Sequence, residues 1–126
     1  MQESILIVED HPIVRDLLRA WLEMIFPQCL LLEATNRREA IEQAVDVSPQ
    51  LVLMDLDVSF LNGIEAAQQI KALAPETAIV VLTIHEEDPY HADALAAGAS
   101  AYIPKCKMHT DLIPILSGLL NVPPGV

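Results

Sequence analysis

Short apolar runs of four to six residues alternate with longer segments of helical period along the whole chain, and few folds accommodate that alternation. Ile5-Leu6-Ile7-Val8 and Leu51-Val52-Leu53-Met54 have no polar face. Strands of that kind are covered on both sides, and such cover comes from helices crossing over a parallel sheet. The chain divides into five strand-helix pairs.

The first strand spans about Ile5 to Val8. Pro12 then stands near a helix start, with Val14, Leu17, Leu18, Trp21, Leu22 and Ile25 at core spacing, and Pro27 ends the helix. Cys29 to Glu33 is the second strand. Asn36 can cap a helix holding Ala40, Ile41, Ala44 and Val45, closed before Pro49. Leu51 to Asp55 is the third strand, and Asn62-Gly63 marks a turn into a helix with Ile64, Ala67, Ile70 and Leu73. Ala78 to Thr83 is the fourth strand. Asp88-Pro89 supplies a cap and first-position proline for a helix with Ala94 and Leu95 that Gly98 terminates. Ala101 to Pro104 is a short fifth strand, after which Thr110 caps a last helix to about Leu120, with Pro114 in its first turn.

The strands end on chemistry. Glu9-Asp10 follows the first, Asp55 closes the third, Thr83 the fourth, and Lys105 follows the fifth. Parallel strands bring their last side chains to one edge, and open parallel sheets bind ligands there. Glu9, Asp10 and Asp55 gathered in one pocket would repel, which a divalent cation relieves. An all-oxygen set with few protein ligands suits Mg²⁺, which keeps several waters and bridges to phosphate oxygens. A metal-bound carboxylate can serve as nucleophile toward a phosphoryl group, with Lys105 neutralising its oxygens and Thr83 donating a hydrogen bond to one of them.

Composition excludes several alternatives. A net charge of −11 with seven Lys and Arg residues argues against nucleic-acid binding by this chain. Arg37-Arg38, its basic pair, is followed by Glu39 and Glu42 and reads as a solvated helix face. No apolar stretch reaches the roughly 18 residues of a membrane span, nor is there a signal peptide, so a cytoplasmic location is expected. Cys29 and Cys106 lack the spacing of a disulfide framework or zinc site. His85 and His91, around Glu86, Glu87 and Asp88, belong to a solvated loop and helix cap rather than a transition-metal site.

Taken together, Ile5 to Pro12, Leu51 to Leu56, Asn62-Gly63, Val80 to Thr83, and Ala97-Gly98-Ala99 through Tyr102 to Lys105 resemble the receiver domain of bacterial two-component response regulators. The resemblance covers the whole chain. It implies a flavodoxin-like (βα)5 sandwich with parallel strand order 2-1-3-4-5, Asp55 as phosphoacceptor, Glu9 and Asp10 as the acidic pair, and Thr83 and Lys105 as switch residues. It further implies Mg²⁺ as cofactor, contacted also by the backbone carbonyl of Asp57, and a sensor histidine kinase as phosphoryl donor. Asp10-His11-Pro12-Ile13-Val14-Arg15 and Leu82-Thr83-Ile84-His85 are similar to receivers of the NarL/LuxR type, which usually precede a helix-turn-helix DNA-binding domain. Residues 1–121 are then the receiver and 122–126 the start of a linker, and any DNA contact belongs to an absent C-terminal domain.

Two positions depart from the family pattern. Ser59 stands where receivers usually carry proline, and Asp57 adds an acid beside the site. Asp57 lies beyond the apolar run, so Asp55 is the preferred nucleophile. A switch needs groups that move on phosphorylation, and the resemblance implies Thr83 and Tyr102, the hydroxyl closing on the phosphoryl group while the ring turns inward. The last helix, with Leu112, Ile113, Ile115, Leu116, Leu119 and Leu120, has more apolar positions than one stripe needs, so an interface with a second receiver or an effector is expected there. Two rivals remain. A flavodoxin-like cofactor protein would need a Ser/Thr/Gly-rich loop where this chain has Glu9-Asp10-His11-Pro12. A receiver-shaped interaction module regulated without phosphorylation would have little use for Asp10, Asp55, Thr83 and Lys105.

Overall fold

A computed structural model describes residues 3–55, 60–83 and 88–125. Its strands are β1 (Ser4–Val8), β2 (Leu30–Ala34), β3 (Leu51–Asp55), β4 (Ala78–Thr83) and β5 (Ala101–Pro104). The helices are α1 (Pro12–Ile25), α2 (Arg37–Val47), α3 (Phe60–Leu73), α4 (Asp88–Ala96) and α5 (Met108–Leu120), with a short 3₁₀ turn at Lys105–Lys107. The sheet is parallel with order β2-β1-β3-β4-β5, the expected flavodoxin-like arrangement.

Side-chain alternation along each strand divides the core in two. Ile5, Ile7, Leu51, Leu53, Val80, Leu82 and Ile103 face Leu18, Leu22 and Phe26 near α1 and Leu112, Leu116 and Leu120 of α5. Leu6, Val52, Met54, Ile79 and Val81 face Ala40 and Ala44 of α2, Ala67 and Ile70 of α3, and Ala94 of α4. Each large side chain removed from water on these faces contributes ~1.5–3 kcal/mol. The buried side chains contributed by α2 to α4 are mostly alanines, whereas those of α1 and α5 are leucines.

Local chemistry sets several element ends. Asn36 Oδ1 accepts from Glu39 N at 2.9 Å, as expected for a cap, and Glu39 Oε1 reaches back to Thr35 N at 2.8 Å. Gly98 closes α4 at φ 101°, with Gly98 N bonded to Leu95 O and Ala99 N to Ala94 O, the paired bonds of a Schellman ending.

Other expectations are corrected. Helix α3 begins at Phe60, so Asn62-Gly63 lie inside its first turn rather than before it; the first N–H groups of a helix lack intrahelical partners, and Asn or Gly costs little there. Helix α5 continues from the 3₁₀ turn with Lys107 at its cap position, and Thr110 is not the cap: its Oγ1 donates to Lys107 O at 3.1 Å. Pro114 therefore sits inside α5, where it withholds the N–H that Thr110 O would accept. Leu17, Val45, Leu73 and Leu95, assigned to core stripes, are exposed.

Candidate functional site

Register brings the predicted groups to one sheet edge. Val8 pairs with Met54, which sets Glu9 level with Asp55, and Asp55 pairs with Leu82, one residue before Thr83. By alternation Glu9 and Asp55 fall on the α1/α5 side of the sheet, continuing Ile7 and Leu53. Thr83 continues Val81 on the other side, and Val81 is the register partner of Tyr102.

The Asp55 side chain is 1% exposed, and Lys105 Nζ stands 2.8 Å from its Oδ1 as an ion pair. Apart from that pair, neither oxygen of Asp55 has a hydrogen-bond partner among the described residues, and Oε2 of Glu9 has none there either. Glu9 is 4% exposed. Its Oε1 accepts from His11 N at 3.0 Å, yet its carboxyl is pushed up to about 8, first by burial and then by Asp55. Asp10, next in sequence, is exposed and adds to the upward push. Thr83 is fully buried at the end of β4, and Tyr102 is partly buried against the α3/α4 side of the core.

Two buried carboxylates with unpartnered oxygens, one of them forced toward the neutral form, fit a small divalent cation held by oxygen. Glu9, Asp10 and Asp55 are the residues available to hold it. Among the described residues, no group of three His, Cys, Asp or Glu side chains forms a ready-made metal cage. Asp57 and Ser59 lie outside the described residues, as does His85.

Arg15, to which the sequence assigns no role at the site, also comes to this edge. Arg15 Nη1 donates to the backbone carbonyl of Glu9 at 3.1 Å, and Arg15 Nε lies 4.0 Å from Glu33 Oε2. A signal existed: the expected second strand ends on Glu33, another acid at a strand end, and Arg15 follows His11 by one helical turn.

A parallel doubly wound sheet with an acidic pair and a buried Asp-Lys pair at its carboxyl edge defines a CheY-like receiver. The model of the response regulator receiver domain matches residues 5–117, and the chain belongs to that family. The response regulator protein VraR of Staphylococcus saprophyticus is 33% identical over 121 residues, covering 96% of this chain and 58% of that protein. A solved two-component response regulator of the LuxR family from Aurantimonas sp. is 30% identical with a TM-score of 0.84, over 98% of this chain and 89% of that one. The CheY-like receiver domain protein of Methanospirillum hungatei is 25% identical with a TM-score of 0.84, over 96% and 95%. The chain spans about half the length of the curated relatives it matches. Among the described residues, no helix is long and apolar enough to cross a membrane.

Proposed function

We propose that Asp55 is the phosphoacceptor of this receiver and that it takes a phosphoryl group from a phosphohistidine of a sensor kinase in the cytoplasm. A carboxylate oxygen of Asp55 attacks phosphorus, the P–N bond of the donor breaks, and its electron pair leaves on the imidazole nitrogen. The observation that carries this reading is the buried Asp55 carboxylate at the end of β3, ion-paired to Lys105 and set level with Glu9.

Lys105 neutralises charge on the transferring oxygens, for which its 2.8 Å approach to Asp55 is suited. Glu9, Asp10 and Asp55 would hold Mg²⁺, with the backbone carbonyl of Asp57 as the further ligand the resemblance implies, and the ion would supply charge neutralisation at the phosphoryl oxygens. Thr83 binds the phosphoryl group through its hydroxyl and Tyr102 responds on the same side of the sheet; their neighbouring register supports that coupling. The chain assists its own transfer and turns over no external substrate. Residues 1–121 act as the receiver, and 122–126 lead toward a DNA-binding helix-turn-helix domain, in keeping with the length of the relatives.

Self-association through α5 has a narrow basis. Leu112, Leu116 and Leu120 are buried, Ile113 and Ile115 pack on the same core, and Leu119 is exposed. A dimer would have to recruit exposed apolar side chains beyond that helix.

Incubation with acetyl phosphate and Mg²⁺, followed by intact mass, tests the assignment. One phosphoryl group is expected on wild type and none on Asp55→Asn. An unmodified wild type favours a module regulated without phosphorylation, and modification lost in Asp57→Asn but kept in Asp55→Asn moves the acceptor to Asp57.

A further inference from the structure

Glu9 has to present its carboxylate from just past the end of β1. Its backbone N–H donates to Ala34 O at 3.0 Å and its Oε1 is held by His11 N, which leaves the carbonyl to be fixed. Arg15 fixes it: Nη1 donates to Glu9 O at 3.1 Å from the second turn of α1, where the side chain is 17% exposed. Arg15 is placed in turn by its backbone bond to His11 O at 2.9 Å, and Glu33 Oε2 lies 4.0 Å from its Nε, a charge contact without a hydrogen bond, while pairing more closely with Arg19 at 3.4 Å. A chain of charge therefore runs from β2 through α1 to the backbone of the acidic pair. The hydrogen bond from Arg15 to Glu9 is to the backbone carbonyl, not to the carboxylate.

We propose that Arg15 is a positioning residue for the cation site, anchoring the Glu9-Asp10 turn through the Glu9 carbonyl and Glu33. The proposal rests on the phosphoacceptor reading only in taking Glu9 and Asp10 as cation ligands. Two roles for Arg15 predict opposite signs. A nearby positive charge that merely repels the cation would, when removed, tighten binding. An anchor that orients ligands would, when removed, weaken it, and outer supports of metal ligands are commonly worth 10- to 100-fold in affinity.

The test is calorimetric titration with Mg²⁺ alone, no phosphodonor present, on wild type, Arg15→Ala and Glu33→Gln, alongside thermal unfolding without Mg²⁺. Arg15→Ala is expected to raise the Mg²⁺ dissociation constant ~10-fold, and Glu33→Gln by a smaller factor in the same direction. Acetyl phosphate labelling should then need more Mg²⁺ for half its rate while its rate at saturating Mg²⁺ stays near wild type. An unchanged or tightened constant in Arg15→Ala overturns the proposal, and if that variant does not fold, an unchanged constant in Glu33→Gln overturns it. Wild type that binds Mg²⁺ but accepts no phosphoryl group on Asp55 sinks the phosphoacceptor reading and leaves the anchor standing.

Discussion

At the level of single residues, the sheet edge stores unfavourable charge that a cation can relieve. The Glu9 carboxyl is raised from 4.5 to about 8, so between those values the folded chain holds a proton that the unfolded chain has released. Stability without metal therefore falls as pH rises through that window. A cation competes with the same proton, so Mg²⁺ affinity climbs across it. Titration at about pH 6 and about pH 9 should show tighter binding at the higher value, and Glu9→Gln should flatten the difference. Asp55 carries a related cost, since it is buried beside Glu9, whose carboxyl it pushes up, and Lys105 is its ion-pair partner among the described residues. Asp55→Asn is expected to lose phosphoryl acceptance and yet gain ~1 kcal/mol in urea unfolding without Mg²⁺, because removing a crowded carboxylate stabilises. A loss of stability instead would mean that the Lys105 pair outweighs the repulsion.

Among the elements, the signals that survived from sequence to structure are local ones. Gly98 was legible as a helix terminator because a positive φ is open to glycine and strained for other residues. An added Cβ there would meet Lys71 Cγ at 2.8 Å, so Gly98→Ala should destabilise by more than ~1 kcal/mol. Gly118, inside α5 with nothing within 4 Å of a built Cβ, should behave oppositely, and Gly118→Ala is expected to raise stability by ~0.5–1 kcal/mol. Thermal unfolding of the two variants checks both signs. The starts of α3 and α5 were misplaced because Asn62-Gly63 and Thr110 favour turns and caps without requiring them. The burial of α1 was only half legible. Leu18 and Leu22 face the core, but Leu17, 66% exposed, joins Ile13 and Met24 on an outward apolar stripe. Both stripes have helical spacing, and spacing alone does not say which of them meets the sheet.

Over the whole molecule, charge is out of balance. The net charge is −11, and Arg15, Arg19, Arg37, Arg38 and Lys105 are each committed to a carboxylate neighbour. The exposed pairs contribute at most ~1 kcal/mol each, so long-range repulsion among the excess acids is the larger effect. Raising NaCl from about 0.01 M to about 0.5 M should therefore raise the melting temperature. Millimolar Mg²⁺ should add a further increase that Asp55→Asn reduces while leaving the NaCl effect intact.

The order of strands and helices, and the sheet edge at which Glu9, Asp10, Asp55, Thr83 and Lys105 gather, follow from properties carried within a few residues: apolar period, proline and glycine placement, and the group on which each strand stops. Tertiary structure alone decided which face of α1 is buried, how deeply Glu9 sits, that Lys105 reaches Asp55 from fifty positions away, and that Arg15 ties Glu33 to the Glu9 carbonyl. Those are distances between residues remote in sequence. Strand register and the seating of helices on the sheet set them, and no local pattern encodes either.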